Sequence, residues 1–381
     1  MTRLIVFGFD AAEAAQIRRI RSYLSSGFAV QGFTMRRDNM NSDFTPFWPN
    51  IHLYDVANES ILRRIKAILG SVLKVARHRD VLRGADVIVA RNLDMLAIAV
   101  AARWLTPGEK PPVIYECLDI HGLMTNPGIK GRIFRWLERR LLAHTASIIV
   151  SSPAFVSQYF EPVQGWAGPV TLLENKLWID DDNLTRPAPQ PRDIPAEAPL
   201  TLGWVGTLRC PRSLDLLCAA ADALGDRLRV ELHGVVHDHA LPDFHDRVAA
   251  RSNMDYLGPY DYPDGLAPIY TRCDMVWSQD LWQWGTNSTW LLPNRIYEAS
   301  FFGCPSIAVA GCETGDRVAA GLGWTIDAPT AEDLIALLRG LTREQVEQMR
   351  LSLLGMPEHA FRLTPDEVRA AIRAPMIVDE V

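Results

Sequence analysis

Three groups of polar residues in this chain have the types and spacing to hold a phosphorylated ligand. The first lies in residues 291–311, LLPNRIYEASFFGCPSIAVAG, where a Pro-Asn start leads into a helix-like run over 295–302. Gly303-Cys304-Pro305 stops that run, and the strand-like segment 306–309 follows at once. Asn294 stands where a cap accepts from free amides, and Pro305 cannot continue a helix. The pattern predicts helix, tight turn and buried parallel strand. Glu298 is the one carboxylate of the helical part, near its start, where the helix dipole tolerates an anion. Arg295, three residues earlier, offers a cation to the same ligand, or is simply an exposed helix arginine. The second group is GWVGTLRCPRSLDLL, residues 203–217. A strand ends at Gly206, a loop carries Arg209 and Arg212, and a helix begins near Arg212-Ser213. Glycine lets a backbone approach a ligand closely, and the amides of a helix start attract an anion. Two guanidinium groups add charge-assisted donors suited to a diphosphate; the plain alternative is a surface loop with two solvated arginines. The third group is VIYECLDIHGLM, which places Glu116, Asp119 and His121 at the C-terminal end of a strand, where parallel sheets bind ligands. ARNLDML ends another strand with Arg91, Asn92 and Asp94, and Asp10 follows the first strand.

The elements that must position these groups alternate along the chain. Apolar strand candidates are 4–9, 28–33, 86–90, 113–117, 146–151 and 170–173, with helix-period segments at 11–24, 61–77, 93–105, 130–143 and 153–160. Near-continuous apolar strands separated by helices imply a doubly wound parallel sheet. Residues 185–199 carry prolines at 187, 189, 191, 195 and 199, the composition of a semi-rigid linker. A second alternating pattern follows. Its strands are 200–205, 229–233, 254–257, 274–278, 305–309 and 324–326; its helices are 212–223, 242–251, 264–272, 295–302 and 331–339. Helices at 343–355 and 365–373 close the chain.

Composition narrows the function classes. At 381 residues the chain exceeds the roughly 250–300 at which a single core stops growing, so two domains are expected. Hydrophobic residues at 48% and charged residues at 22% are those of a globular protein. The longest apolar run, 95–102, falls far short of the ~20 residues a bilayer needs. The N-terminus shows no cleavage site, so a cytoplasmic protein is expected. Cysteines 117, 210, 218, 273, 304 and 312 form no Cys-x-x-Cys pair, which argues against zinc. Asp180-Asp181-Asp182 reads as a solvated acidic patch rather than a metal motif. Residues 1–185 hold 22 Lys/Arg against 18 Asp/Glu, and the remainder 17 against 27. The basic excess includes KGRIFRWLERRLL, whose arginines alternate with Phe134 and Trp136 at helical spacing. Such a helix suits an anionic membrane surface, or packs on the sheet with its charges in water. Overall acidity disfavours nucleic acid.

The two motifs at 203–217 and 291–311, with phrases such as SSPAFVSQYF and LLENKL, resemble GT-B glycosyltransferases of the family 4 type over roughly residues 1–340. That resemblance implies an α/β fold of two Rossmann-like domains facing a central cleft. An acceptor-side domain would span 1–185, a linker 186–199 and a nucleotide-sugar domain 200–355, with a C-terminal helix in 356–381 returning to the first domain. It implies that Glu298 grips the ribose, that Arg212 neutralises the leaving nucleotide beside Gly206 and Arg209, and that His121, with Asp119, addresses the donor sugar. Asp10 would face the acceptor along with Arg91, Asn92 and Asp94, and the base would lie past 229–234, near Gly234, and 256–260. The activity implied is sugar transfer from a nucleotide-sugar to a glycan or lipid-linked acceptor in polysaccharide assembly. Retention of configuration and independence of metal and cofactor come with it, since arginines and helix dipoles would serve the diphosphate. Two features depart from the family: Trp290 replaces a second Glu eight residues before Glu298, and no Gly-rich loop follows the first strand. A nucleotide-sugar 2-epimerase or a non-catalytic GT-B binding subunit are the alternatives. A dinucleotide oxidoreductase lacks its Gly-x-Gly-x-x-Gly.

Overall fold

The computed structural model describes residues 1–37, 44–56, 61–108, 110–179 and 184–374. The acidic run 180–182 lies outside the described residues. The chain forms two compact units, Met1–Glu174 with Thr364–Val381, and Asn175–Leu363.

The first unit carries β1 (Arg3–Gly8), β2 (Ala29–Arg37), β3 (Asn50–Val56), β4 (Val87–Arg91), β5 (Val113–Cys117), β6 (Ser147–Val150) and β7 (Val170–Leu172). They form one parallel sheet in the order β3-β2-β1-β4-β5-β6-β7. β4 and β5 are buried along their whole length, which explains their unbroken apolar sequences. The strand order reverses between β1 and β4, so the loops leaving these neighbours diverge and open a crevice at the C-terminal edge. β3 has no counterpart among the apolar runs of the sequence. It is an edge strand whose Leu53 is buried while His52, Tyr54 and Asp55 face water. The first helix begins at Ala14 rather than at residue 11, because Asp10 folds the intervening residues into a turn by accepting from the Ala12 amide at 3.0 Å. The terminal helix Pro365–Arg373, started by a Thr364–Glu367 capping box, belongs to this unit, where Arg369 donates to the Ser26 carbonyl at 3.3 Å.

The second unit carries β8 (Leu200–Leu208), β9 (Leu228–Val236), β10 (Met254–Gly258), β11 (Met275–Trp277), β12 (Ser306–Val309) and β13 (Gly323–Ile326). Their order is β10-β9-β8-β11-β12-β13, again all parallel, with the reversal between β8 and β11. β8 and β9 run three residues beyond their apolar cores, and Gly206 pairs with Gly234 in that extension. Gly234 has φ +129°, and a Cβ there would lie 1.7 Å from the Gly206 carbonyl oxygen. Strand pairing alone therefore requires glycine at 234. The proline-rich stretch is fastened to this unit by its arginines. Arg186 donates to the carbonyls of Phe301, Met356 and Leu353, and Arg192 bridges Glu347 at 2.8 Å and Asp274 at 2.9 Å.

All six cysteines are buried and unpaired. Among the described residues no helix is long and apolar enough to cross a membrane.

Candidate functional site

At the β1/β4 reversal of the first unit lies a cavity of about 380 Å³. Its walls come from the loops after three neighbouring strands: Phe9, Glu13 and Gln16 after β1, Arg91, Asn92 and Asp94 at the end of β4, and Asp119 and His121 after β5. The structure thus gathers five of the residues singled out in the sequence around one space. Asp10 is fully buried behind the wall and reaches the cavity through Arg37, which it holds at 3.1 Å. Asn92 occupies φ +73° and uses its side chain as a cap, accepting from the Met95 amide at 3.2 Å. His121 is exposed, and its Nδ1 accepts from the Leu123 amide at 3.2 Å, which leaves Nε2 to carry the ring proton.

Arg91 is fixed from below. Glu116, with no exposed surface, pairs with Arg91 at 2.9 Å and with Arg19 at 2.6 Å, while Gln16 accepts from Arg91 at 2.7 Å. Burial by itself would push the Glu116 carboxyl up; the two guanidinium groups outweigh that and hold it below its ordinary value. Glu116 thus stands between the two buried guanidinium groups and pairs with both.

A further buried acid was not anticipated. Glu138 lines the same cavity from the helix Ile129–Leu142, and it accepts from Tyr115 at 3.1 Å, from Gln164 at 2.5 Å and from Tyr159. Burial pushes its carboxyl up against the downward pull of Tyr159, Tyr115 and Gln164. The available signal was an acid four residues after Phe134, on the apolar face of an otherwise basic helix. The opposite face presents Ile129, Ile133 and Trp136 to solvent beside Lys130, Arg132 and Arg140. Arg135 and Arg139 are otherwise engaged: Arg135 donates to the Met124 carbonyl at 2.8 Å, and Arg139 to that of Gln164 at 3.1 Å.

In the second unit the β8/β11 reversal collects the remaining candidates. Gly206 has φ +114°, and the Arg295 guanidinium comes within 3.6 Å of where its Cβ would stand. Arg295 also donates to the Trp277 carbonyl, at the end of β11, at 3.4 Å. Arg209 faces Asp280 at 3.5 Å and lies 5.9 Å over the Trp282 ring. Arg212, just inside the helix Pro211–Leu224, donates to the Pro329 carbonyl at 3.0 Å. Glu298 and Asn294 differ from expectation. The helix runs Asn294–Phe301, its cap is Pro293 in an extended conformation, and Asn294 is its first residue, because proline needs no donor there. Glu298 is therefore mid-helix and buried, and accepts from the Tyr270 hydroxyl at 3.1 Å. Burial and then the Glu298 charge push the Tyr270 and Tyr260 hydroxyls up, so both stay protonated donors beside it.

Among the described residues, Glu231, His233 and Cys273 bring possible metal-ligand atoms within 4.8 Å of one another. Arg272 already holds Glu231 at 2.8 Å and His233 lies 3.3 Å from it, so the carboxylate is compensated without an ion. Burial also pushes the Cys273 thiol up.

Residues 23–176 match the model of the glycosyl transferase 4-like domain. The chain is 36% identical over 345 residues to the succinoglycan biosynthesis protein ExoL of Rhizobium meliloti (strain 1021), covering 90% of this chain and 85% of that one. Among solved structures it resembles sucrose-phosphate synthase of Thermosynechococcus elongatus, with TM-score 0.70 and 14% identity over 100% of this chain and 97% of the other. It also resembles Anabaena HepE in complex with UDP and glucose, with TM-score 0.65 and 12% identity over 100% of both chains.

Proposed function

We propose, because the chain belongs to the glycosyltransferase 4-like family, that it moves a sugar from a nucleotide-sugar to a glycan or lipid-linked acceptor in polysaccharide assembly. The observation that carries this reading is the grouping at the β8/β11 reversal. Arg295 and Arg209 stand at the strand ends beside Gly206, and Glu298 is buried three residues along the helix from Arg295. The guanidinium groups of Arg209, Arg212 and Arg295 would take the diphosphate, aided by the amides that open the helix Pro211–Leu224. Glu298, held by Tyr270, would accept the ribose hydroxyls. Gly234 keeps the neighbouring strand close, and contributes through that pairing rather than through a side chain. The succinoglycan relative supports the polymer context, and the structure of HepE with UDP and glucose supports a uridine donor.

Electrostatic stabilisation of the departing diphosphate and positioning of the acceptor would then supply the catalysis. His121, Asp119, Arg91, Asn92 and Asp94 are proposed to hold the reacting sugar and acceptor in the first unit's cavity, with Asp10 positioning Arg37 from behind its wall. Retention of configuration without metal or cofactor is part of the proposal. The face bearing Ile129, Ile133 and Trp136, with Lys130, Arg132 and Arg140, would rest on an anionic membrane.

A thermal-shift panel of UDP-, GDP- and dTDP-sugars tests the donor site, because a ligand of the native state raises its melting temperature. Stabilisation by one nucleotide family is expected; no shift with any would refute the reading. Products formed with and without acceptor separate a transferase from a 2-epimerase, which needs none.

A further inference from the structure

The loop after β11 is built to hold one aromatic ring in place. Asp280 accepts from the Trp282 amide at 2.8 Å and from the Ser288 hydroxyl at 2.6 Å, and that same hydroxyl accepts from the Gln283 amide at 2.7 Å. Buried Gln279 ties the loop to its neighbour strand by accepting from the Val309 amide at 3.1 Å, and donates to the Ser288 carbonyl at 3.3 Å. Trp284 packs against the core. Trp282, two residues away on the same fastened loop, is left 42% exposed. A loop so closely tied does not need an exposed indole for its own stability. This one stands where the strand order reverses, with the Arg209 guanidinium over its ring.

We propose that Trp282 is the platform on which the pyranose ring of the donor stacks, with Asp280 as acceptor for a ring hydroxyl. The inference rests on the nucleotide-sugar reading above. Arg209 contacts both Asp280 and Trp282, so a diphosphate on that guanidinium brings its covalently attached neighbour onto the indole. Of the two neighbours, the ribose is assigned to Glu298; the transferred sugar is the other. An indole offers an apolar face to the C–H side of a pyranose, while Asp280 serves its hydroxyl edge.

Calorimetry of the full chain with UDP and with UDP-glucose tests this, using Trp282→Ala and Trp282→Phe. The indole is exposed, so both variants should keep the wild-type melting temperature. Wild type is expected to bind UDP-glucose more tightly than UDP. Trp282→Ala should weaken UDP-glucose by roughly fivefold or more, the scale of losing an aromatic stack. UDP should stay within about twofold, and Trp282→Phe should recover most of the loss. Parallel weakening of UDP and UDP-glucose would place the contact on the nucleotide and overturn the proposal, as would no change with either. A wild type that binds neither UDP nor UDP-glucose overturns it together with the uridine-donor reading, whereas UDP binding without sugar preference overturns it alone.

Discussion

Replacing Glu116 with Gln removes the one anion that two buried arginines share. Arg19 and Arg91 are 6% and 4% exposed, and their nitrogens lie 2.6 and 2.9 Å from the Glu116 carboxylate. Breaking a buried pair costs about 3–5 kcal/mol, because the remaining charge is desolvated without compensation. Gln keeps the shape and one acceptor, and Gln16 still accepts from Arg91, so the lower end, about 3 kcal/mol, is expected. For a unit of this size that corresponds to a fall in melting temperature of roughly 6–12 °C. Scanning calorimetry across pH adds an independent check. The folded-state Glu116 pKa is depressed, so its contribution is fully present above the ordinary carboxylate range and is lost as pH falls through the lowered value. Wild type and Glu116→Gln should therefore differ at pH 7 and converge in acid. A difference below about 1 kcal/mol at pH 7, or one that persists unchanged in acid, would refute the triad as the support of the cavity floor.

Three further outcomes are expected. Glu298→Ala should weaken nucleoside diphosphate binding by about 1.5–3 kcal/mol, the value of hydrogen bonds to a charged group; unchanged affinity by calorimetry in a folded variant removes the ribose role. Glu138 has a raised folded-state pKa, so the native state holds its proton where the unfolded chain has lost it. Stability should therefore fall as pH rises from the ordinary carboxylate range through the raised value, and Glu138→Gln should flatten that slope in denaturant titrations at several pH values. The protein should co-sediment with anionic liposomes at low salt, and Arg132→Gln with Arg140→Gln should release it while preserving nucleotide affinity. Arg135 and Arg139 are unsuitable for that test because both bond backbone carbonyls. Wild type that ignores such liposomes would leave the exposed face merely solvated.

Much of the architecture is legible in the sequence because central parallel strands are apolar on both faces. β5 and the helices Ile61–Arg77, Leu93–Leu105 and Arg343–Gly355 coincide with the periodicity. Edge strand β3 does not, because among its described side chains only Leu53 is buried, and Asn50, His52 and Asp55 interrupt any apolar run. The helix Glu313–Ala319 also escapes, since its capping atom is the Cys312 sulfur, accepting from Gly315, and no Ser, Thr, Asp or Asn marks its start. Candidate site residues were visible where they end strands, as Arg91 does, or where an apolar run gives way to glycine, as at Gly206 inside the extended β8. Glu116 could be placed at a strand end, but its two arginine partners lie 25 and 97 positions away, and only folding brings them together. Glu138 was hidden among basic neighbours, its burial being a property of Tyr115, Tyr159 and Gln164 arriving from other elements.

Sugar transfer itself is the most direct measurement. The protein is incubated in EDTA with a nucleotide-sugar labelled in the sugar, chosen from the thermal-shift panel, and with a lipid-linked glycan fraction. Label in the acceptor, released nucleoside diphosphate and the anomeric configuration of the new bond are then measured. Glycosyl transfer predicts label in the acceptor and one nucleoside diphosphate released per sugar moved; the proposed retaining, metal-independent route further predicts retained configuration and no requirement for added metal. Donor that binds and is converted without any acceptor, or an acceptor that stays unlabelled while the nucleotide-sugar is bound, would contradict it.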